Sequence, residues 1–280
     1  MKNITLQLAE FNNPNYGRFG NKLFKFLFLK WIEKKMDFSI NVDKWEGNLF
    51  FNLKEENPTR ETFTKFISDQ KYSIEYSPQE TLTDLLNKVE SDNVVIDVYG
   101  FFQFHTSHYF AEKDFILNLF KFSDVAAQFL DYIYTILGNN FTTLHIRRGD
   151  YLLYNNHPLF WTLELREIIK HLLDRGIINN NDILYVATDD IDYCEHEFNK
   201  FNIKFITNRN FPLIKIQIEK ILIDFIMMAN AKKLVISNSS LSFFASMINT
   251  KGNLFLRPSS DGFNLREYNP WNDNVLLVKI

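Results

Sequence analysis

The segment from Thr143 to Tyr151 holds the side chains whose types and spacing point most clearly to chemistry, in the order Thr-Leu-His-Ile-Arg-Arg-Gly-Asp-Tyr. Its apolar start predicts a strand, in which successive side chains point to opposite faces. Leu144 and Ile146 would enter a core from one face. His145 and Arg147 would point outward from the other, at the carboxyl end of the strand. Because a guanidinium never loses its charge and matches the geometry of phosphate, Arg147 is the first candidate for binding a phosphate group.

The same string also has a structural interpretation, in which Arg147 and Arg148 end a strand and pair with acids on a neighbouring loop. Two adjacent arginines alone would favour that interpretation. The complete pattern His-x-Arg-Arg-Gly-Asp favours phosphate binding, because Gly149 would let the chain turn sharply or approach a ligand closely.

Two later segments follow the same plan, an apolar strand with polar groups at its carboxyl end. Asp189 and Asp190 end one of them, and Ser239 and Ser240 lead the other into a helix. Carboxyl ends of neighbouring parallel strands meet at one crevice, where open α/β sheets bind ligands. The carboxylates could accept hydrogen bonds from ribose or guanine, and the serine hydroxyls and helix-start amides could bind phosphate. Helix capping explains either pair by itself, so the predicted nucleotide-diphosphate site depends on their shared position.

Asp190 and Asp192 have the Asp-x-Asp spacing of a divalent-metal site, since carboxylates suit Mg²⁺ or Mn²⁺. Arg147 and the helix amides would already neutralise a leaving diphosphate, so we predict no metal. The single cysteine, Cys194, excludes a thiolate metal site and an intrachain disulfide, and it fits a reducing compartment.

The composition limits the remaining classes of protein. With 280 residues, 46% of them apolar, the chain is long enough for two domains with sizeable cores. A net charge of -3, from 31 basic and 34 acidic residues, gives no general attraction to nucleic acid. The first ten residues lack the pattern of a signal peptide, and no stretch is apolar enough to span a membrane. We therefore expect a soluble, cytoplasmic protein.

The elements that must position these groups alternate along the chain. The patterns predict strands at 4–8, 94–98, 141–146, 183–187, 203–206, 234–236 and 254–256. They predict helices at 20–35, 78–90, 123–138, 162–175, 192–201, 212–231 and 241–248. Strands alternating with helices indicate an α/β fold with parallel sheets. Gly138, followed by two asparagines, ends a helix and marks the predicted boundary between domains 1–138 and 139–280. The segment 45–71 shows no clear pattern.

A glycine-containing loop follows the first predicted strand and leads into a helix near Gly20. Backbone amides around Gly17, Arg18, Gly20 and Asn21 would form a nest suited to an anion at the helix N-terminus. An ordinary strand-to-helix turn explains the two glycines equally well.

Five segments together resemble the α1,2-fucosyltransferase family. The string at 145–150 is similar to the His-x-Arg-Arg-x-Asp motif of fucosyltransferases that make α1,2, α1,6 and protein-O-linked fucose, and its continuation into Tyr151 is most similar to the α1,2 family. The other similar segments are 17–21, 99–110, 185–190 and 237–245. The resemblance implies a GT-B fold, two Rossmann-like domains facing across a cleft, with inverting chemistry and no required metal. Lys22 and Lys25 stand where the family usually has glutamine.

The resemblance also implies roles for individual residues. His145 and Asp190 would contact the guanine or ribose of GDP-fucose, and Arg147 would bind its β-phosphate. The implied donor-binding residues are Gly17, Arg18, Gly20, Asn21, His145, Arg147, Asp189, Asp190, Ser239 and Ser240.

The expected reaction moves fucose from GDP-fucose to a hydroxyl of a galactose-containing glycan in α1,2 linkage. Arg147 would stabilise the charge that builds on the leaving β-phosphate. Asp150 is the candidate base nearest in sequence, although it could instead pair with Arg148 and hold the loop; Glu164 and His105 are further candidates. A GT-B transferase for another GDP-sugar, or an inactive protein that binds sugar nucleotides or glycans, would fit the same pattern.

Overall fold

The computed structural model describes residues 3–8, 17–36, 38–53, 64–67, 77–87, 89, 93–154, 157–211 and 220–280. The chain divides into two compact units, Met1–Ser123 and Asp124–Ile280. Each unit contains its own β-sheet.

The first unit is built on a four-stranded parallel sheet in the order β2-β1-β4-β3. Its elements in chain order are β1 (Asn3–Leu8), α1 (Phe19–Lys35), β2 (Ser39–Val42), α2 (Glu46–Phe51), β3 (Thr64–Ile67), α3 (Pro78–Asn87), β4 (Asn93–Tyr99) and α4 (Lys113–Leu119), with a 3₁₀ helix at Thr106–Glu112. Leu6 and its neighbour Gln7 are both fully buried, which shows that the central strand β1 is covered on both faces. The phenylalanine-rich α1 packs into this core, where Phe28 stacks on Phe102 at a centroid distance of 4.4 Å.

The second unit is built on a six-stranded sheet in the order β10-β9-β8-β5-β6-β7, in which only the edge strand β10 is antiparallel. Its elements are α5 (Asp124–Leu137), β5 (Thr142–Ile146), α6 (Leu165–Asp174), β6 (Ile183–Thr188), α7 (Ile191–Lys200), β7 (Lys204–Ile206), α8 (Lys220–Asn230), β8 (Lys233–Val235), α9 (Ser240–Ile248), β9 (Leu254–Pro258) and β10 (Leu265–Glu267). A 3₁₀ segment, Gly149–Tyr154, follows β5 closely.

The register of the central strands brings their carboxyl ends to one edge of this sheet. Ile146 at the end of β5 lies opposite Thr188 at the end of β6, and Leu144 lies opposite Val235 at the end of β8. On one face of the sheet, apolar side chains of these strands form a core with α6 and α7. Three parallel strands that end at the same edge of the sheet bring the polar residues behind each of them close together, as expected for a ligand edge.

Helix α5 belongs with the second unit, because its apolar face packs there. Phe129 of α5 lies edge-on to Phe211 at a centroid distance of 6.0 Å, and Ile133 is fully buried. The division by contacts therefore falls after Ser123, whereas the predicted boundary lies after Gly138, where α5 ends. A helix stop signal marks the end of an element, and packing decides to which unit that element belongs.

Several elements differ from their predictions. The segment without a clear pattern contains α2 and β3, and the short edge strand β10 carries too few residues for a periodic signal. The predicted helix 212–231 is described from Lys220 to Asn230 as α8, and its first part lies outside the described residues, as does loop 12–16. Over the described part of the chain, every helix is too short or too polar to cross a membrane.

Candidate active site

The hydroxyl of Ser237 joins the end of β8 to the end of β5. Its oxygen donates to the carbonyl of His145 at 2.6 Å and accepts from the N–H of Arg147 at 2.9 Å. The two strand ends therefore meet as predicted. Two hydrogen bonds of one hydroxyl, to the backbone of His145 and of Arg147, join them.

Asp189 joins the end of β6 to the same loop. Its Oδ1 accepts from the N–H groups of Arg148 at 2.9 Å and Gly149 at 3.2 Å. A Cβ atom at Gly149 would lie 2.5 Å from Oδ2 of Asp189, so only glycine allows this approach. Gly149 therefore allows a carboxylate of the protein itself, that of Asp189, to lie close to the backbone.

Arg147 is held between two carboxylates at this edge. Its Nη1 lies 2.5 Å from Oδ2 of Asp189, its Nη2 donates to Oδ1 of Asp150, and its side chain is 17% exposed. A guanidinium that has lost most of its hydration needs such partners. Arg147 is thus paired with acids, as the structural interpretation predicts, but its partners stand at the shared strand edge. Asp150, which the sequence offered as a partner of Arg148, is paired with Arg147, and Arg148 is paired with Asp190.

Arg148 has partners different from those of Arg147, in line with the alternation of side chains in extended chain. Its Nε donates to Oδ2 of Asp190 at 3.1 Å, and its guanidinium carbon lies 3.4 Å from the ring centroid of Tyr193. Asp190 also caps α7, because its Oδ1 accepts from the N–H of Tyr193 at 3.2 Å. For Arg148 and Asp190 the structural interpretation therefore accounts for the contacts seen.

His145 is buried, which corrects the prediction that it points outward. All five residues of β5 are buried, because the strand is central in its sheet and helices cover both faces. Burial, together with the charge of Arg147, lowers the pKa of the His145 imidazole to about 3, so the ring is neutral. Its Nδ1 is buried without a hydrogen-bond partner. An unsatisfied polar atom beside the arginine loop is a candidate contact for a ligand.

The two serines differ in their surroundings. Ser239 stands at the N-cap of α9 without a side-chain capping bond, and its N–H donates to the carbonyl of Ser237 at 2.8 Å. Its amide is thus used inside the protein, while its hydroxyl lies close enough to the buried Tyr151 to act on the pKa of that phenol. Ser240 opens α9 and is half-buried. The structure brings both serines to the edge that carries Arg147, through the bonds that Ser237 makes.

Asn238, which the sequence did not single out, fastens this edge to distant parts of the chain. Its Nδ2 donates to the carbonyls of Leu159 at 3.0 Å and Leu277 at 2.8 Å. Its Oδ1 accepts from the N–H of Leu277 at 2.9 Å and from Nη2 of the fully buried Arg257 at 3.2 Å. The amide has all its hydrogen-bonding groups engaged. Its partners lie far away in the sequence, so no local pattern could have indicated this role.

A buried carboxylate, Asp224 of α8, lies behind the site. Tyr185 of β6 donates its hydroxyl to Oδ1 at 2.6 Å, and Nδ2 of Asn208 donates to Oδ2 at 2.9 Å. Burial raises the pKa of this carboxyl to about 7, against the effect of those two hydrogen bonds, and the charge of Asp189 adds to the rise. Asp224 sits within the apolar pattern of a helix, which is why sequence reasoning missed it.

In the first unit, the glycine loop and the segment after β4 meet. Oδ1 of Asn21 accepts from Nε2 of Gln103 at 2.7 Å. Gly17 has φ +112°, and a Cβ atom there would strike the side chain of Asn21. The exposed Arg18 is the N-cap residue of α1, and Gly20 is buried in the first turn of that helix. The loop segment 17–21 therefore has the conformation of a helix entry that needs glycine.

Two lysines stand on the buried side of α1. Lys22 binds both carboxylate oxygens of Glu46 at 2.9 and 3.0 Å. Burial, with the charge of Lys22 as a second cause, lowers the pKa of Lys25 to about 8. Its ammonium lies 5.6 Å from the ring centroid of Phe101. The first unit therefore has two buried lysines at positions where the α1,2-fucosyltransferases that the sequence resembles usually have glutamine.

The Asp-x-Asp pair does not converge on one point. Asp190 is turned to Arg148, while the side chain of Asp192 is 90% exposed and lies 3.7 Å from Arg209. Across the ranges that the structure describes, no three histidine, cysteine, aspartate or glutamate side chains come together in a way that could hold a metal ion.

Comparison with known families and curated proteins shows what the chain is similar to. A family model described as glycosyl transferase family 11 matches residues 51–266. The chain is also similar to the O-antigen biosynthesis glycosyltransferase WbnK of Escherichia coli, with 26% identity over 189 residues. That alignment covers 62% of this chain and 58% of WbnK, so the chain spans less than two thirds of the length of the curated relative that it matches.

Solved structures show the same fold. The fucosyltransferase NodZ from Bradyrhizobium has a TM-score of 0.58 and 13% identity, over 98% of this chain and 99% of NodZ. POFUT1 in complex with GDP-fucose has a TM-score of 0.56 and 13% identity, over 90% of this chain and 96% of POFUT1. The prediction of an α/β chain of the GT-B type is confirmed by these neighbours and by the parallel sheets.

Proposed function

This chain belongs to glycosyl transferase family 11, and we propose that it moves fucose from GDP-fucose to a hydroxyl group of a galactose-containing glycan. One observation carries the proposal. Arg147 stands at an edge where three strand ends are hydrogen-bonded together, with its guanidinium oriented by two carboxylates. A fixed guanidinium at the carboxyl edge of a parallel sheet is suited to the β-phosphate of a nucleotide sugar.

The two carboxylates on Arg147 come from different segments of the edge. Asp189 follows β6 and also accepts from two backbone N–H groups, whereas Asp150 lies on the 3₁₀ segment after β5. Two arginines and three aspartates give the edge a formal charge of −1, so we expect a diphosphate to displace one of the carboxylates when it binds. In our proposal the phosphate replaces Asp150, and Asp189 keeps the guanidinium in place.

The proposed reaction then assigns each bond and proton. The bond between the anomeric carbon of fucose and the β-phosphate oxygen breaks, and its electron pair leaves on GDP, where Arg147 stabilises the charge. The acceptor oxygen attacks the opposite face of the sugar, which inverts the anomeric centre. Its proton passes to the carboxylate of Asp150, once that group is released from Arg147. No metal takes part in this scheme.

The linkage and the acceptor are proposed on different grounds. The α1,2 linkage follows from the continuation of the arginine motif into Tyr151, whereas NodZ is described as an α1,6-fucosyltransferase. A glycan acceptor agrees with the name of WbnK, which places that protein in O-antigen biosynthesis. The cytoplasmic location, expected from the lack of a signal-peptide pattern and of an apolar membrane span, stays a prediction.

The decisive experiment incubates the protein with GDP-fucose, or with GDP-mannose in a parallel series, and a panel of galactose- and glucose-terminated oligosaccharides. We expect transfer from GDP-fucose to galactosides only, with a product whose linkage is read by NMR, and unchanged rates after EDTA. Transfer from GDP-mannose would contradict the donor assignment. GDP binding without any turnover would identify an inactive sugar-nucleotide-binding protein, and loss of activity in EDTA would contradict the metal-free scheme.

A further inference from the structure

Four rings pack together directly after the arginine loop, and we refer to Tyr151, Tyr154, His157 and Phe160 as the aromatic cluster. Phe160 is their centre: its ring stacks on His157 at 4.2 Å and lies 5.2 Å from Tyr151 and 5.8 Å from Tyr154, measured between centroids. The guanidinium carbon of Arg147 lies 5.5 Å from the centroid of Tyr151. The aromatic cluster therefore begins next to Arg147, the residue proposed to bind phosphate, and continues along the chain after it.

The outer side of the aromatic cluster is open to solvent. Tyr154 is 54% exposed, and the residues before it, Leu152 and Leu153, are 47% and 79% exposed. Single exposed apolar residues are common on proteins, but three in succession beside a polar site indicate a surface that binds something.

The cluster is held in place by the backbone. The N–H of His157 donates to the carbonyl of Tyr154 at 2.8 Å, and the N–H of Phe160 donates to the carbonyl of His157 at 3.1 Å. The hydroxyl of Tyr151 donates to the carbonyl of Asn238 at 2.9 Å. Rings fixed in advance lose little freedom when a ligand binds.

We propose that the aromatic cluster is the acceptor subsite, in which the apolar face of a neutral, galactose-terminated glycan stacks on Tyr154. The inference rests on the proposed function and names the part of the same site that receives the second substrate. Continuity is the first argument, because an acceptor hydroxyl must approach the carbon bonded to the phosphate that Arg147 binds, and the cluster adjoins Arg147.

The chemistry of the surface is the second argument for a sugar. The rings combine apolar faces with polar edges, which matches a sugar ring that has an apolar face and hydroxyls around its rim. Nδ1 of His157 accepts from the N–H of Leu159 at 3.2 Å, so in the neutral imidazole the hydrogen is on Nε2, which makes that nitrogen a donor. The cluster contains no carboxylate, ammonium or guanidinium group, which favours an uncharged sugar.

The test measures binding of lactose to the full chain in the presence of GDP, by saturation-transfer NMR and titration, so that no turnover is needed. Tyr154→Ala should weaken lactose binding by about 3–10-fold, the range expected for one aromatic stacking contact, and leave GDP affinity within about 2-fold. Tyr154→Phe keeps the ring and should stay close to the wild type. Tyr132→Ala, which removes a tyrosine that is 46% exposed on α5, is the matched control and should change neither affinity.

Two results would overturn the inference: no lactose binding by the wild type, or lactose affinity unchanged in Tyr154→Ala. In the second case, loss of binding to phosphatidylglycerol vesicles would assign the surface to lipid, and a change in the sedimentation of the free protein would assign it to self-association. A different result would contradict the proposed function. A protein that binds lactose through Tyr154 and GDP through Arg147, yet transfers no fucose, would retain the subsite and lose the transferase assignment.

Discussion

Nη1 of Arg147 lies 2.5 Å from Oδ2 of Asp189. The arginine proposed to bind phosphate is therefore held by a carboxylate that directly follows the neighbouring strand β6. The other oxygen of that carboxylate accepts from the backbone of Arg148 and Gly149. One aspartate thus shapes the loop and orients the guanidinium that the loop carries. Both its oxygens are engaged within the protein, and a contact of Asp189 with ribose or guanine stays a prediction.

Arg147→Ala should reduce the turnover of GDP-fucose on the order of 10²–10³-fold, because it removes the group that stabilises the leaving phosphate. Arg147→Lys keeps the charge without the planar fork and should lose on the order of 10-fold. Initial rates and GDP calorimetry measure both effects. Arg175→Ala is the control, since it breaks an exposed pair with Glu267 and should leave turnover unchanged. Near-normal transfer by Arg147→Ala would remove the central assignment.

The two carboxylates on Arg147 should respond differently to the same change. Asp150→Asn removes a group that competes with phosphate, so it should tighten GDP binding a few-fold while it lowers kcat. Asp189→Asn should weaken GDP binding and lower the free energy of unfolding by about 1–3 kcal/mol, because it loosens the loop as well. Calorimetry with GDP and urea unfolding of each variant distinguish the two roles. If Asp150→Asn left both GDP affinity and kcat unchanged, Asp150 would be neither competitor nor base.

Gly149→Ala should displace the Asp189 carboxylate, because the added methyl would lie 2.5 Å from Oδ2. We expect a loss of about 1–3 kcal/mol in the free energy of unfolding, as for other overpacked sites, together with a loss of activity. The control is the double variant Gly149→Ala, Asp189→Ala, in which the obstructing carboxylate is absent. Its stability should be close to that of Asp189→Ala alone; simple addition of the two losses would show that the clash is not with Asp189.

Asp224 should make the stability of the protein depend on pH. The unfolded chain titrates this carboxyl near its ordinary pKa of 3.8, whereas burial raises the pKa to about 7 in the folded protein. Between these values the folded form keeps a proton that the unfolded form has released, so this contribution to stability falls as pH rises. Relative to the wild type, Asp224→Asn should therefore gain stability from about pH 4 to pH 7, by at most ~1.4 kcal/mol per pH unit, and then level off.

Urea unfolding of the wild type and Asp224→Asn at pH 5, 6, 7 and 8 measures this trend. Asp192→Asn, at a carboxylate whose side chain is 90% exposed, should follow the wild type at every pH. A constant difference between the wild type and Asp224→Asn across the series would show that Asp224 is ionised throughout.

The sequence predicts the candidate site where local rules decide the outcome. Arg147 and Arg148 contact different side chains, in line with the alternation of side chains in extended chain. The strand ends meet because parallel neighbours in such a sheet end at one edge. Both inferences needed only the order of residues within a few positions.

Contacts between distant segments escape such reasoning. His145 is buried because β5 became the central strand of six, which depends on how every other strand pairs. Asp224 reads as one polar residue in an apolar helix, and its partner Tyr185 comes from a strand 39 positions away. The pairing of Asp150 with Arg147 depends on the conformation of the folded loop after β5, which the order of residues alone does not determine.

The anchoring of Leu277 to Asn238 has a practical consequence for handling this protein. Both backbone groups of Leu277 bond to that one amide, its carbonyl also accepts from the indole of Trp161 at 3.1 Å, and the N–H of Lys279 donates to Pro158 at 2.9 Å. Deleting the residues after Asn274 would remove two of the four hydrogen bonds of the buried Asn238 amide, beside Ser237 and Ser239. A variant shortened in this way for crystallisation should then bind nucleotide more weakly, although the residues proposed to contact the nucleotide are unchanged.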